Sequence, residues 1–201
     1  TWVVEEDKEM ESNPVSGVTC SKNEARITIS RVPDVPGTAS RVFNPITSQG
    51  IVVDMIIQNT REGELTDMTF TVPRTDYKKT MQIMKKVVAD VGAEGVTGSD
   101  NIAKVSIVGV GMRNHAGIAS TMFKVLSDEG INILMISTSE IKVSCVIEEK
   151  YTELAVRALH DAFSLEKDTS KKRSAKSVAP AKAKVTTKAK AATPKAKSKK
   201  K

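Results

Sequence analysis

Residues 33–59 read PDVPGTASRVFNPITSQGIVVDMIIQN, and residues 113–139 read RNHAGIASTMFKVLSDEGINILMISTS. The two stretches align without an insertion at an offset of 80 residues. They share eight residues: Gly37, Ala39, Ser40, Phe43, Gly50, Ile51, Met55 and Ile56 recur as Gly117, Ala119, Ser120, Phe123, Gly130, Ile131, Met135 and Ile136. Because the glycines and apolar residues coincide, both stretches are predicted to form the same structure. Two copies of one small α/β unit favour a paired binding module over a catalytic pocket.

The net charge of +7 is distributed unevenly along the 201 residues. Residues 170–201 contain 13 Lys or Arg and no acidic residue, which leaves 18 basic and 24 acidic residues in 1–169. The body of the chain is therefore acidic, and the basicity belongs to the tail. A chain of this length fits one or two small domains, and a repeat of about 80 residues argues for two.

The sequence excludes several classes of protein. The two cysteines, Cys20 and Cys145, are too few for a disulfide framework, and no secretory signal is recognisable, so a cytoplasmic location is expected. No apolar run reaches the roughly 18 residues of a membrane span, so no membrane partner is expected. The chain begins with Thr1 rather than Met, which indicates a processed chain or a fragment of a longer protein.

Each copy has the residue pattern of a βαββαβ unit. In copy one the pattern predicts a first helix between the turn at 34–37 and Gly50, a second helix at 76–89, and strands at 25–32, 51–58, 66–72 and 94–100. In copy two it predicts helices at 117–129 and 152–163 and strands at 104–108, 131–137 and 141–147. Pro45 falls inside the first helix and is expected to kink or weaken its last turn. Copy two lacks a final strand, and the separate strand predicted at 16–22 can fill the open edge.

The predicted fold class is therefore α+β, with two tandem ferredoxin-like βαββαβ domains followed by a disordered basic tail. The domains are expected at residues 15–100 and 101–166, and residues 1–14 are interpreted as a linker. Residues 167–201 have a low-complexity Lys/Ala/Pro composition. Such a segment cannot bury enough apolar surface to offset the entropy lost on ordering.

The loop from Asp34 to Ala39 joins a strand to a helix and is a candidate ligand site. Free N–H groups at a helix start favour an anion such as a carboxylate. Gly37 lets a ligand approach the backbone, and Asp34 can hold an ammonium group, so the loop suits an amino acid. The alternative is that Asp34 only caps the helix and Gly37 only forms the turn. The matching loop at 114–119 lacks the acid, so the two sites are expected to differ in affinity.

Five polar residues at predicted strand ends are further candidates for a ligand pocket or a strand-edge interface: Gln58, Asn132, Ser137, Thr138 and Ser139. The alternative is that they only form the ordinary hydrogen bonds of sheet ends.

The string Gly109-Val110-Gly111 lacks the third glycine of a dinucleotide-binding loop, so that type of site is not expected. His115 and His160 are isolated, so neither a metal site nor a catalytic dyad is expected. The tail lacks aromatic residues and is expected to bind nucleic acid only non-specifically, if at all.

Several strings resemble the tandem ACT domains of aspartate kinase, across about residues 15–165: ITISRVPDVPGTASRVF, GIVVDMIIQN, DMTFTVPRTD, KVSIVGVGMRNHAGIASTMFKVLSDEGINILMISTSEIKVSCVI and AVRALHDAF. The region from VGVGM to ISTSEI is the most specific part. The opening TWVVEEDKEME resembles the segment that follows the kinase domain in that family. The chain thus resembles the C-terminal regulatory region, and residues 1–14 are then a linker from a missing N-terminal kinase domain.

This resemblance implies a parent enzyme that transfers the γ-phosphoryl group of ATP to the β-carboxylate of aspartate. The product, 4-phospho-L-aspartate, leads to lysine, threonine, methionine and diaminopimelate. The family's Lys-Phe-Gly-Gly kinase signature is absent, so this chain alone is expected to be inactive and to hold no catalytic residue, metal or cofactor; ATP and Mg are expected in the missing kinase domain. Its implied role is to sense lysine, threonine or both and to pass inhibition to a kinase catalytic domain or subunit.

The resemblance also implies a set of effector contacts: Asp34, Gly37, Ala39, Val52, Val53, Asp54, Gln58, Ala119, Asn132, Ile133 and Ser139. Two departures leave the identity of the effector open, because Val52 replaces the usual Asn and Ala119 stands where some relatives have Thr. A homodimer through the first ACT domain is expected, since the strand at 51–58 would otherwise be an exposed edge. The alternatives are an ACT regulator of another amino-acid enzyme and a tail-driven nucleic-acid-associated protein, which the acidic body disfavours.

Overall fold

The computed structural model describes residues 14–61 and 64–165. The predicted linker, apart from Pro14, and the predicted disordered tail lie outside the described residues. The described elements follow in the order β1 (Gly17–Pro33), α1 (Thr38–Thr47), β2 (Ile56–Arg61), β3 (Leu65–Val72), α2 (Tyr77–Val91), β4 (Gly95–Val108), α3 (Ile118–Asp128), β5 (Met135–Ser139), β6 (Lys142–Glu148) and α4 (Thr152–Ala162). Helices α2 and α4 each follow a short 3₁₀ turn, at Arg74–Asp76 and Glu149–Tyr151.

The six strands form one antiparallel sheet in the order β2-β3-β1-β4-β6-β5. The central strands β1 and β4 have 17 and 14 residues and serve both copies. The C-terminal half of β1 pairs with β3 and with the N-terminal half of β4, where Ile27 lies opposite both Phe70 and Gly98. The N-terminal half of β1 pairs with the C-terminal half of β4, where Cys20 lies opposite Val105.

Each copy therefore takes half of each central strand. Repeat one consists of the C-terminal half of β1, α1, β2, β3, α2 and the N-terminal half of β4. Repeat two consists of the C-terminal half of β4, α3, β5, β6, α4 and the N-terminal half of β1. Residues 17–21 thus lie beside the strands of repeat two and fill the edge position for which the sequence predicted them. Both repeats have the ferredoxin-like order predicted from the sequence.

The prediction of separate strands at 16–22 and 25–32 is wrong, because the backbone continues through Glu24 as one strand with two register shifts. Glu24 is tolerated at the centre of the sheet because its Oε1 lies 2.7 Å from Nζ of Lys104 on β4. An ion pair offsets the large cost of burying a lone charge. The prediction of separate strands at 94–100 and 104–108 is wrong for the same reason, because β4 continues through residues 101–103 as one strand.

The prediction that strands begin at Ile51 and Ile131 is also wrong, since β2 begins at Ile56 and β5 at Met135. The preceding residues are joined to the neighbouring strands by isolated backbone bonds, such as Asp54 N to Thr71 O at 3.1 Å and Leu134 N to Val146 O at 2.8 Å. Their β-branched composition favours a strand, but a strand also requires a continuous ladder of partners.

Two equivalent hydrophobic cores lie between the sheet and the helices. In repeat one, Ile27 and Phe70 of the sheet pack with Met84 of α2. In repeat two, Val105 packs with Leu159 of α4 in the same way. All five side chains are fully buried, and each large apolar side chain contributes about 1.5–3 kcal/mol when it is removed from water. Residues 41–50 and 121–130 even share the same succession of buried and exposed positions.

A third, smaller hydrophobic cluster links the two repeats on the face of the sheet opposite the helices. It contains Met55 and Met135, which are equivalent in the two copies, together with Ile102 and Val146. Beside it, Nζ of Lys104 also contacts the carboxylate of Asp54, which comes from repeat one. The segment before β2 is therefore tied to a strand of repeat two.

Gly109 directly follows β4, at a point where another segment of the chain comes very close. A β-carbon at this residue would lie 2.2 Å from the carbonyl oxygen of Pro14 and 2.8 Å from Cα of Val15. The N–H of Gly109 donates to the carbonyl of Ile141 at 2.9 Å. This glycine is thus explained by the close approach of the chain that enters β1, and not by a phosphate-binding loop.

Candidate functional site

The clearest pocket among the predicted site residues lies at the start of α1. Its volume is about 370 Å³, and its wall is formed by residues 34–39 together with Gln58 of β2 and Met68 of β3. Asp34, Gly37, Ala39 and Gln58 therefore share one cavity, which is called the α1 pocket below. All four residues are exposed, so the pocket is open to solvent.

The backbone of the α1 pocket offers hydrogen-bond donors. Gly37 has φ = 92°, a left-handed conformation that a residue with a side chain rarely adopts, and the equivalent Gly117 has φ = 88°. The turn uses the N–H of Thr38, which donates to Val35 O at 3.2 Å. The next two N–H groups, of Ala39 and Ser40, have no acceptor within the part of the chain that the structure describes. Such groups at a helix start attract an anion.

Asp34 does not cap α1. The N-cap residue is Gly37, and no side chain bonds to the free N–H groups. Instead, Oδ1 of Asp34 accepts a hydrogen bond of 3.3 Å from Nε2 of Gln58, and its backbone N–H donates to Glu64 O at 2.8 Å. The capping alternative considered for Asp34 is therefore wrong, because the loop places this residue too far before the helix. Its other carboxylate oxygen has no partner among the described residues and is available to a cation.

The predicted residues Val52 and Val53 lie at the opposite end of α1, just after Gly50. Val52 is 68% exposed, whereas Val53 packs against the core of repeat one. In repeat two, Asn132 and Ile133 occupy the equivalent place and line a groove of about 400 Å³. Ala119 lies in the first turn of α3, at the other end of that helix.

Asp54 and Ser139 lie together in a third place. They line a polar cavity of about 90 Å³ between the start of β2 and the end of β5, with Lys104 and Lys142. The carboxylate of Asp54 is engaged with Lys104, so within one protomer it does not face the α1 pocket. Burial alone would lower the pKa of Lys104, but hydrogen bonds to Asp54 and Glu24 outweigh burial and raise it.

The residues expected to contact an effector thus lie in five places within one protomer: the α1 pocket, the segment after α1 with Val52 and Val53, the start of α3 with Ala119, the groove after α3 with Asn132 and Ile133, and the cavity lined by Asp54 and Ser139. The α1 pocket brings together four of them, more than any of the other places. Among the described strands, β2 pairs with β3 alone, so its outer edge is unpaired and exposes Ile56 to the extent of 53%.

Sequence reasoning missed the charged contacts between the repeats. One of these contacts joins Lys104 to Asp54. The other joins Arg74 to Glu149, with Nη1 of Arg74 donating to Oε1 of Glu149 at 3.2 Å. The only signal for Lys104 is a charge within a run of β-branched residues. Arg74 and Glu149 lie in polar turns, where charged residues are ordinary, so the sequence offers no signal for their contact.

Other types of site find no support within residues 14–61 and 64–165. No group of three His, Cys, Asp or Glu residues in that part of the chain is close enough to hold a metal ion. His115 is occupied locally, since its Nδ1 lies 2.8 Å from the carbonyl oxygen of Gly111. No helix of the described part is long and apolar enough to span a membrane.

Comparison with known proteins gives a consistent assignment. ACT-domain families match residues 25–89 and 105–163. The chain is 56% identical over 162 residues to the aspartokinase of Pseudomonas aeruginosa, and 55% identical over 163 residues to an aspartate kinase of Stutzerimonas stutzeri. Each match covers 81% of this chain but only 39% and 40% of those relatives, respectively. The chain thus spans about two fifths of the length of these enzymes.

Two solved structures match over nearly their full length. A chain in the crystal structure of aspartokinase α and β subunits is 52% identical, with a TM-score of 0.71, and the match covers 75% of this chain and 99% of that one. The regulatory subunit of aspartate kinase from Thermus thermophilus is 39% identical, with a TM-score of 0.70 and the same coverage of both chains. With two ACT domains in one sheet and a regulatory subunit matched from end to end, this chain belongs to the aspartate kinase family and has the architecture of its regulatory region.

Proposed function

We propose that this chain is the amino-acid-sensing part of an aspartate kinase and binds lysine, threonine or both in the α1 pocket. The single observation that carries this proposal is the pairing of opposite polarities in one cavity. The carboxylate of Asp34 offers an acceptor for an α-ammonium group, and the free N–H groups of Ala39 and Ser40 offer donors for an α-carboxylate. A free amino acid carries both groups on one carbon atom.

The proposed site is completed by a second copy of the chain. The α1 pocket contains Gln58 from the later part of β2, and Val52 and Val53 precede the start of that strand. If the open edges of two β2 strands pair antiparallel, the start of one strand lies beside the end of the other. Val52 and Val53 of one protomer then close the α1 pocket of its partner. Effector binding and dimer formation are therefore coupled in this proposal.

The regulated reaction is the transfer of the γ-phosphoryl group of ATP to aspartate by a kinase catalytic domain or subunit. ATP and Mg belong to that partner, and no catalytic role is assigned to residues of this chain. An effector that binds more tightly to one arrangement of the ACT dimer shifts the population towards that arrangement. Inhibition follows if the kinase partner is inactive in the arrangement that the effector favours.

The test is calorimetric titration of lysine and threonine into the full chain, with sedimentation velocity at the same concentrations. We expect saturable binding of at least one of them and a stable dimer at micromolar protein. The matched control ligands are the Nα-acetyl derivatives, which keep the side chain but lose the α-ammonium group, and these are expected not to bind. Absence of binding by both amino acids, or a strict monomer in their presence, contradicts the proposal.

A further inference from the structure

Two equivalent basic residues, one in each repeat, have different surroundings. Residues 25–29 read ARITI and residues 103–107 read AKVSI, so Arg26 of β1 corresponds to Lys104 of β4. In each case the second residue after the basic one shares a hydroxyl–hydroxyl hydrogen bond with the neighbouring strand, in the pairs Thr28–Thr69 at 3.0 Å and Ser106–Ser144 at 2.8 Å. The residues that alternate with them pack under the helices, so both basic side chains extend from the opposite face of the sheet.

Lys104 in repeat two has two acidic partners. Its ammonium group contacts the carboxylates of Glu24 and Asp54. The residues that correspond to these acids in the other repeat are Ile102, which aligns with Glu24 at an offset of 78 residues, and Leu134, which aligns with Asp54 at an offset of 80. Both are apolar and lie in or against the cluster that links the repeats. Repeat one therefore offers its own basic residue neither acid.

Arg26 is left without a partner among the residues that the structure describes. Its Nε is buried and has no acceptor there. No carboxylate within residues 14–61 and 64–165 lies at ion-pair distance from its guanidinium group. Glu24, two residues away on the same strand, is bound to Lys104 instead. A buried donor without an acceptor is destabilising, so an acid from elsewhere is expected to bind this arginine.

The most acidic stretch of the sequence lies just before the described residues begin. Residues 5–11 read EEDKEME, with five acids and one lysine among seven residues. They are followed by Asn13-Pro14, a dipeptide typical of turns, and the backbone bends at Pro14. A turn at this place directs the acidic stretch back along the sheet.

The distance from Pro14 to Arg26 matches the length of this stretch. Pro14 lies against Gly109, directly after β4. Ser99, which lies opposite Arg26, is ten residues earlier in the chain, or about 33 Å at the rise of a strand. An extended chain from residue 5 to Pro14 spans about 30 Å, and the long side chains of arginine and glutamate cover the remainder. The acids at positions 5–7 therefore reach Arg26, whereas the acid at position 11 does not.

We propose that the acids at positions 5–7 bind Arg26 of the same chain, so that the N-terminal segment lies along the sheet face opposite the helices. The segment then gives repeat one the acids that Glu24 and Asp54 give repeat two. Because the segment is tethered, its effective concentration at Arg26 is on the order of millimolar, which a separate acidic protein would have to exceed. The contact is separate from the α1 pocket and does not depend on an effector.

The experiment is carbodiimide cross-linking of the full chain with Arg26→Lys. The reagent activates a carboxylate, and an amine in contact with it attacks the carboxyl carbon, so that an amide forms and the reagent leaves as its urea. Mass spectrometry of the digested protein is expected to show a link from position 26 to Glu5, Glu6 or Asp7, and none to Glu11. The link between Lys22 and Glu153, whose Nζ and Oε1 lie 3.3 Å apart, is the internal standard.

Two controls accompany the cross-linking. Arg41→Lys places an amine on α1 of the same repeat, away from the sheet face, and is expected to give no link to residues 5–11. A mixture of isotope-labelled and unlabelled chains shows whether the linked peptides come from one chain or from two. We expect links within one chain.

A second readout keeps the wild-type arginine as its reference. A protease specific for glutamate cleaves an accessible segment faster than a bound one, and removal of the charge in Arg26→Met is expected to speed cleavage at residues 5–11 about threefold or more. Salt at about 0.5 M is expected to have the same effect on the wild type, because it screens the contact. Arg41→Met is expected to change nothing.

Three results overturn the proposal. The first is no link from position 26 to positions 5–7, and the second is cleavage at the same rate in Arg26→Met and the wild type. The third is linkage only between labelled and unlabelled chains, which would assign the acids to a second copy. If Arg26→Met does not fold, cross-linking of Arg26→Lys decides alone. Binding of lysine or threonine is expected to be unchanged in Arg26→Lys, so failure here is distinct from failure of the α1 pocket.

Discussion

Arg74 and Glu149 occupy the same position in the two repeats and bind each other. Each is the first residue of the 3₁₀ turn that precedes the second helix of its repeat. The guanidinium group of Arg74 contacts both carboxylate oxygens of Glu149, at 3.2 Å through Nη1 and at 2.5 Å through Nη2. The pair therefore lies on the approximate twofold axis that relates the two repeats. With exact symmetry both positions would hold the same residue, and two equal charges would repel each other. Here one residue is basic and the other is acidic, so the contact is attractive.

The Arg74–Glu149 pair is expected to contribute to stability only while Glu149 is ionised. The hydrogen bond from Arg74 lowers the pKa of Glu149 below its ordinary value of 4.5. Because the folded-state pKa is the lower one, the contribution is present above about pH 4.5 and is lost as the pH falls through the folded-state pKa. Thermal melts of the wild type and Glu149→Gln between pH 3 and pH 7 are expected to converge at the acid end. Curves that stay parallel contradict this assignment.

The size of the same contact is measured by a double-mutant cycle. Arg74→Met and Glu149→Gln are each expected to lower the melting temperature by about a few degrees at most, since the pair is partly exposed. The double variant is expected to be less destabilised than the sum of the single ones, because residues in contact are not additive. Full additivity of the two changes would show that the pair does not couple the repeats.

Asp34→Asn is expected to weaken effector binding while the fold is kept. Asparagine retains an oxygen that can accept the hydrogen bond from Gln58 but loses the charge that attracts an ammonium group. A charge-assisted hydrogen bond contributes roughly 1.5–3 kcal/mol, so binding of lysine or threonine is expected to fall about tenfold or more. Calorimetric titration measures the affinity, and thermal melts check the fold.

The control for this variant is Asp90→Asn, which removes an exposed acid of the same repeat outside the α1 pocket. It is expected to leave the affinity unchanged. Since Asp34 does not cap α1, Asp34→Ala is expected to melt close to the wild type as well. If Asp34→Asn binds the effector as tightly as the wild type, the residue is no part of the site.

Lys104→Met is expected to be the most destabilising single removal of charge in the chain's sheet. It leaves the side chain of Glu24, which is only 9% exposed, without its partner. Breaking a buried ion pair costs on the order of 3 kcal/mol, because an uncompensated charge remains. Urea unfolding measures the loss, and Glu24→Gln in the same background is expected to recover part of it.

Asp54→Asn provides the comparison for Lys104. Its side chain is 53% exposed, so loss of this partner is expected to cost less than about 1 kcal/mol. Because the pKa of Lys104 is raised, its contribution to the free energy of unfolding also depends on pH. Because the folded-state pKa is the higher one, its contribution is complete below about pH 10.5 and is lost as the pH rises through the folded-state pKa. A larger effect of Asp54→Asn than of Lys104→Met contradicts this ranking.

Gly109→Ala is expected to destabilise the fold on steric grounds alone. The new β-carbon would lie 2.2 Å from the carbonyl oxygen of Pro14, and backbone must move to admit it. Overpacking of this kind costs about 1–3 kcal/mol. Gly95→Ala is the matched control, because a β-carbon at Gly95 meets no atom within 4 Å. Equal melting temperatures for the two variants would exclude the close approach.

Removal of residues 170–201 is expected to change neither stability nor effector binding. The tail is strongly basic, and the body of the chain is acidic. Attraction between exposed charges is nevertheless screened beyond about 10 Å at ordinary salt concentrations. The melting temperature and the affinity for lysine or threonine of the shortened chain are the measurements. A fall of several degrees would assign a structural role to the tail.

The fold class could be predicted from the sequence because the features that define the repeat lie within short stretches of the chain. Gly37 and Gly117 fix the same turn, and the apolar spacing behind them fixes the same helix face. The strand at 16–22 was predicted to fill the open edge of copy two, and residues 17–21 do pair there, but its continuity with the strand at 25–32 was not predictable in this way. A polar break such as that at Glu24 looks like a turn when only neighbouring residues are considered, whereas pairing with the other central strand keeps it extended.

The site was predictable only in part. Asp34, Gly37 and Ala39 are adjacent in the chain, so their common pocket follows from one loop. Asp54 was assigned to the effector on resemblance, but its contact with Lys104 depends on tertiary packing that brings together residues 50 positions apart. No local periodicity encodes such a contact, and so the separation of the predicted residues into five places appeared only in the three-dimensional structure.

The sharing of β1 and β4 by both repeats has a consequence for how the chain can be divided. During synthesis, residues 17–21 emerge well before their partner in β4, which ends only at Val108. A cut between the copies would leave each half with an orphaned length of strand and an open edge that invites aggregation. One ACT unit can therefore not be removed, added or exchanged without disrupting the strands of the other. The two units have to fold together, because each supplies half of both central strands.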